Sequence, residues 1–287
     1  MKRLFLILLI VSAGSVFAQF ENTDVGARQI ALNGAFTSLS DNSLAIFYNP
    51  AGLGQMKDRE FSLFYSPAPF QLTDMSYATL TYAEPTKFGI FGAAIKTYGF
   101  ELYKENNFIV SYGNNYKNRI FYGINLNLYN LKIQDYGSAT AFGLDVGAMA
   151  YIAKYIQWGF FGKNITGSKI GESDEKIAQV YRSGFTYQPL DYLRIITEIE
   201  KDIKYPVSVR GGIEYNVIDF LDLRTGVGSQ PSTFSAGVGI NYNIFTFDYA
   251  LTKHEDLGYT HLGSVTVNFG GIKGKKSSRE QLRKTFE

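Results

Sequence analysis

From Arg59 to Phe269, apolar and polar residues alternate in one run after another. A two-residue period suits a strand with two unlike faces and fits no helix. In "RIFYGINLNLYNLKI", Ile120, Tyr122, Ile124, Leu126 and Leu128 share one face, with Gly123, Asn125 and Asn127 on the other. Likewise Phe61, Leu63 and Tyr65 alternate with Ser62 and Phe64, and Ala78, Leu80 and Tyr82 with Tyr77, Thr79 and Thr81. Carried along the chain, this reading predicts fourteen strands: 59–66, 75–83, 88–98, 106–113, 119–132, 139–151, 155–164, 178–187, 191–201, 205–215, 220–229, 233–242, 244–252 and 259–269. Most are 9 to 13 residues long, which suits a tilted crossing of hydrocarbon needing about 9–11. A soluble sandwich, also built of many strands, is the competing architecture.

The connections and the charges favour the membrane. Links leaving odd strands, such as "SPAPFQLTD" and "NITGSKIGESDEK", are mostly longer than those leaving even strands, such as "EPT", "NNYK" and Asn243. An all-β antiparallel outer-membrane barrel has this asymmetry, with short turns inside and longer loops outside. Rings recur at strand ends, including Tyr65, Tyr82, Tyr98, Tyr112, Tyr129, Tyr187, Tyr215 and Tyr242, where interfacial girdles would lie. Charge falls opposite the apolar face. In "YPVSVRGGIEY", Val207, Val209 and Ile213 point one way while Ser208, Arg210 and Glu214 point the other, and Asp145, Asp222, Arg224 and Asp248 are placed similarly. An arginine on the lipid side would cost about 2–4 kcal/mol at mid-membrane. These six are therefore expected to face the lumen, where opposite signs can pair across strands.

Upstream, "MKRLFLILLIVSAGSVFAQF" joins Lys2 and Arg3 to an apolar core and a small-residue cut site, and reads as a cleaved secretory signal peptide over 1–18. Without Lys2 and Arg3 the 28 basic residues fall into balance with the 26 acidic ones. Such a chain lacks the clustered basic footprint of a nucleic-acid partner. It has no cysteine, so disulfides cannot support it. Two histidines, His254 and His261, leave little for general-base chemistry, and Ser264 lies on the opposite face from His261. No His, Cys or carboxylate cluster has metal-ligand spacing. We expect no enzyme, no metal and no cofactor.

Between signal and strands lies "GARQIALNGAFTSLSDNSLAIFYNPAGLG", and the last strand ends in the aromatic Phe269. Through Gly26, Ala27, Arg28, Gly34, Ala35, Asp41, Asn49, Pro50, Ala51, Gly52 and Leu53, together with Phe269 as a barrel-assembly signal, the chain resembles the PorV/PorQ branch of the FadL-like outer-membrane barrels. The resemblance implies a transmembrane barrel over 59–269 in the outer membrane of a Gram-negative-type bacterium, with 19–58 folded into it as a plug or hatch. Leu44, Ile46, Phe47 and Leu53 would pack there around a bend at Asn49, Pro50, Ala51 and Gly52; a short arm beneath the barrel is the alternative. The PorV/PorQ relatives are associated with type IX protein secretion, which implies secretion-machinery or exported proteins as partners besides outer-membrane lipid. FadL-type passive transport of a hydrophobic ligand is the other reading, although the external links here are short for it. Gly89, Gly92 and Gly99 mark either a kink in the third strand or close packing. The tail 270–287 carries six basic and two acidic residues and is expected on the periplasmic side, frayed or in contact with lipid or a machinery protein.

Overall fold

Fourteen antiparallel strands close on themselves in the computed structural model, which describes residues 20–21, 24–171 and 175–271. They are β1 Glu60–Ser66, β2 Tyr77–Thr86, β3 Gly89–Gly99, β4 Tyr103–Tyr116, β5 Ile120–Ile133, β6 Gly137–Ala153, β7 Ile156–Lys163, β8 Val180–Leu190, β9 Leu193–Asp202, β10 Ser208–Ile218, β11 Leu221–Ser229, β12 Ser232–Tyr242, β13 Phe245–His254 and β14 Gly258–Asn268. Sequence neighbours pair all the way round, and β1 closes the ring on β14 from Glu60↔Asn268 to Tyr65↔Gly263. The predicted signal peptide and nearly all of the basic tail lie outside the described residues.

All fourteen expected strands are present; β10 lies three residues later than expected, at Ser208–Ile218 rather than 205–215, and β4 differs at both ends. It extends from Tyr103 to Tyr116 rather than over 106–113, because Lys104, Asn106 and Asn114 continue the pairing without continuing the apolar pattern. Lengthened strands shorten the links at one end of the barrel. There, among links between described strands, only 67–76 and 164–179 exceed five residues, and a two-residue ladder pairs Lys169–Ile170 with Glu175–Lys176 inside the second. The opposite end holds tight turns such as 117–119, where Lys117 and Asn118 take φ 55° and 52°.

The wall is apolar outside and polar inside. Val110, Leu126 and Phe142 are 62%, 61% and 75% exposed, whereas their inward neighbours Ser111, Asn125 and Asn127 are buried. A soluble sandwich would bury the first set and hydrate the second. One closed sheet with an exposed apolar belt leaves that alternative aside.

Two short helices precede the barrel, α1 Ala27–Ala31 and α2 Ala45–Tyr48, followed by a 3₁₀ turn, Pro50–Gln55. Helix α2 stops at Asn49 because Pro50 holds the preceding residue extended, at φ −172° and ψ 102°. This segment packs on inward-facing residues of strands around the ring, and nearly every residue from Val25 to Gln55 is buried.

Candidate functional site

The luminal segment is fixed to the wall in two chemically different ways. Its first half is held by charge. Asp24 accepts from Arg210 Nη1 on β10 at 2.7 Å and Arg182 Nη2 on β8 at 3.2 Å. Glu200 on β9 bridges the same two arginines, at 2.5 Å from Arg182 and 2.7 Å from Arg210. One helical turn on, Arg28 donates twice to Glu214 on β10, at 2.7 and 3.0 Å, and reaches Asp41 at 2.5 Å. Glu214 also accepts from Arg194 of β9 and from Arg224 Nε of β11 at 2.8 Å. Arg224 continues the chain of pairs to Asp248 at 2.6 Å and Asp222 at 3.0 Å. Glu198 receives the Phe36 and Thr37 N–H groups at 3.1 and 2.9 Å, satisfying two buried backbone donors from the wall.

Burial alone would raise the Asp24 carboxyl, but the Arg210 and Arg182 charges outweigh it and hold it below the ordinary carboxylate range. A depressed folded-state pKa gives stability that is present above the unfolded value and is lost only as pH falls through the folded one. Acidification from about pH 7 to about pH 4 should therefore leave the Asp24 contacts intact, whereas Asp24→Asn should loosen the segment at neutral pH. Protease cleavage within residues 24–41, followed by mass spectrometry, checks both; equal protection of variant and parent at neutral pH would remove Asp24 as an anchor.

The second half is held by shape. Leu44 packs into the α1 cluster, and Ile46 and Leu53 pack with Ala83, Ile90, Ala94 and Ile109. Ser43 N–H donates to Glu60 at 2.8 Å, and its hydroxyl meets those of Ser62 and Thr81 at 2.8 Å. At the bend, Asn49 is fully buried: its Nδ2 donates to Thr37 O at 2.9 Å and Ala148 O at 3.1 Å, while its Oδ1 accepts from Ala51 N at 3.2 Å. Pro50 and Ala51 lie against bare backbone. A Cβ on Gly123 would stand 2.3 Å from the Pro50 carbonyl carbon, and one on Gly147 would stand 2.1 Å from Asn49 Oδ1. Gly52 meets Ser40 O in the same manner, at 2.0 Å.

Cavities remain beside the segment among the described residues. One of about 40 Å³, at the long-loop end, is lined by Phe20, Tyr98, Tyr129 and Phe161 together with Lys96 and Lys163. It offers room for a few waters. Asn107 Oδ1, Asn127 Nδ2 and Tyr129 Oη, from residues lining it, are buried without a hydrogen-bond partner among the described residues. Another, of about 90 Å³, opens at the short-turn end between Arg28, Gln55, Gln157 and Arg194.

The structure draws Arg210, Glu214, Asp222, Arg224 and Asp248 into the network that meets the luminal segment. Asp145 stands apart from them, accepting from Asn125 Nδ2 at 2.9 Å and from Asn164 N at 2.8 Å. Phe269 sits one residue past β14, exposed, with its N–H on Arg59 O at 3.1 Å. Sequence reasoning did not single out Asp24, Arg182, Arg194, Glu198 or Glu200. For β9 the signal was there, since "LRIITEIEKD" sets Arg194, Glu198 and Glu200 against Ile195 and Ile199. The glycines of β3 prove to be sites of close approach: a Gly92 Cβ would lie 2.9 Å from Ile46 Cδ1, and the strand pairs in continuous register on both sides.

No protein-family model matches the chain, and no curated protein sequence does. Solved structures do match. The deltaS2S3 mutant of the TodX monoaromatic hydrocarbon channel is similar with a TM-score of 0.67 at 12% identity, over 85% of this chain and 99% of that one. The toluene transporter TbuX of Ralstonia pickettii gives 0.62 at 12%, over 85% and 97%, and a FadL homologue of Pseudomonas aeruginosa gives 0.64 at 11%, over 86% and 99%. At such identities the likeness is one of fold. The chain is a closed fourteen-stranded barrel of FadL-like architecture.

Proposed function

We propose that this chain is an outer-membrane barrel of the FadL-like channel type, passing a hydrophobic small molecule, with residues 19–58 as the plug that keeps the lumen closed. The observation that carries the reading is the inside-out wall around a segment buried from Val25 to Gln55. A belt of exposed Leu, Val and Phe needs lipid, and a polar lumen of this strand number needs filling to stay tight. The likeness to hydrocarbon and toluene channels supports the ligand class. The role is non-enzymatic and uses no cofactor. A signal peptide over 1–18 would deliver the chain to the outer membrane.

A second reading, a PorV/PorQ-type component of protein secretion, is favoured by the short outer links and the charge-locked lumen. Its partners would be secretion-machinery or exported proteins. Uptake of radiolabelled toluene separates the two. Of the three Asn49 side-chain hydrogen bonds only the one to Ala148 O reaches the wall, and its loss through Asn49→Ala, at about 1 kcal/mol, should raise the displaced fraction of the plug about 5-fold and uptake with it, with Pro50→Ala measured in parallel. Parental uptake equal to that of cells lacking the protein, with a stoichiometric protein partner on purification, would overturn transport in favour of secretion.

A further inference from the structure

We infer that the outer wall of β4, β5 and β6 at the long-loop end binds a phosphate-bearing glycolipid of the surrounding leaflet. The pairing register stacks the outward residues of these strands in rows. Lys104, Lys132 and Ser138 form the topmost, Asn106, Asn130 and Thr140 the next, then Phe108, Leu128 and Phe142, then Val110, Leu126 and Leu144. The two lysines are direct cross-strand partners, both exposed, and among the described residues neither forms an ion pair. Glu105, next to Lys104, is buried on the inward face and accepts from Phe20 N and Tyr103 Oη, and Glu101 and Asp135 lie in the links above the lysines.

Like charges directly opposite each other on a sheet destabilise it. An anion between the ammonium groups reverses that sign. Below them, Asn130 Nδ2 donates to Thr140 Oγ1 at 3.4 Å, and Asn106, Ser138 and Thr140 add donors and acceptors suited to sugar hydroxyls. Phe142, 75% exposed, and Phe108 begin the apolar belt four residues from the lysines, about 13 Å along the strand. Phosphate, sugar and acyl chain occur in this order along an outer-leaflet glycolipid, so charge and polarity both select that occupant over a free anion.

The inference rests on the outer-membrane reading, and the experiment separates the two. Full-length protein in detergent is titrated by native mass spectrometry with a bisphosphorylated glucosamine-disaccharide lipid and with its dephosphorylated form. Lys104→Ser with Lys132→Ser should weaken binding of the phosphorylated lipid about tenfold. Lys87→Ser with Lys117→Ser, which removes the same charge at the short-turn end, should leave binding unchanged. Equal affinity for both lipids, or for parent and Lys104/Lys132 double variant, would overturn the site. Insertion into lipid vesicles with heat-modifiable migration is scored separately: a parental chain that fails to insert would overturn the outer-membrane reading itself.

Discussion

Glu214→Ala should destabilise the barrel by about 3–5 kcal/mol, the cost of removing one partner from a buried ion pair. The reason lies in what the carboxylate holds. It is bound at once by Arg28 from the luminal segment, Arg194 from β9 and Arg224 from β11, and the four side chains are 10%, 7%, 2% and 5% exposed for Arg28, Arg194, Arg224 and Glu214 respectively. Removal leaves three guanidinium groups crowded together and largely withdrawn from water. Arg224 retains Asp248 and Asp222, and Arg28 retains Asp41, so the barrel need not unfold outright. Glu214→Gln keeps an acceptor but loses the charge and should fall between. The temperature at which the compact, fast-migrating form disappears on semi-native gels measures the ranking. Combining Arg28→Ala with Glu214→Ala should cost less than the sum of the two singles, because the first removes a charge that the second strands. Additive effects would show that Arg28 and Glu214 do not act as a pair.

How much of this was legible beforehand divides along a physical line. Strands are written locally. Ile120, Tyr122 and Ile124 alternate with Phe121, Gly123 and Asn125 because one face of the wall is exposed and apolar while the other meets a filled interior, and any short window carries that signal. It fails where both faces turn polar, as at Lys104 and Asn106, and there the expected strand stopped short. The end of α2 before Pro50 is set just as locally. Pairing is not. Arg28 meets Glu214 across 186 residues, and Asp24 meets Arg210 across the same separation. Alternation places Arg210 and Glu214 on the inward face, but it says nothing about which residues of the preceding segment they grip. That choice depends on how the segment threads the lumen, and the glycines that permit its path, Gly123 and Gly147, read in sequence only as further members of the polar face that holds Asn125 and Asp145.

Those two glycines support the prediction with the clearest functional readout. If the segment from Asn49 to Gly52 keeps the lumen closed, adding one methyl group at each of Gly123 and Gly147 should open it. At Gly123 no side-chain rotation accommodates the added carbon, because the obstacle is the backbone of Pro50 and Ala51 at 2.3 and 2.5 Å, and at Gly147 it meets Asn49 Oδ1 at 2.1 Å, so that side chain must leave its hydrogen bonds. Overpacking of this kind costs about 1–3 kcal/mol, and that penalty falls on the seated state alone. The wall itself is spared, since inward positions elsewhere already carry larger residues such as Met149 and Phe161. In planar bilayers the parent should be nearly silent and Gly123→Ala/Gly147→Ala should show ionic conductance steps, with Gly263→Ala as the control because an added Cβ there meets nothing within 4 Å. The chain lacks cysteine, so Ala51→Cys reports position independently: a water-soluble maleimide should label it in the double-glycine variant and not in the parental background. Labelling without conductance would mean that the bend can leave the wall while another part of the lumen, such as the Asp24–Arg210–Glu200 cluster, still blocks passage. Conductance without labelling would place the closure elsewhere, and silence in both would refute the assignment of Asn49 to Gly52 as the seal.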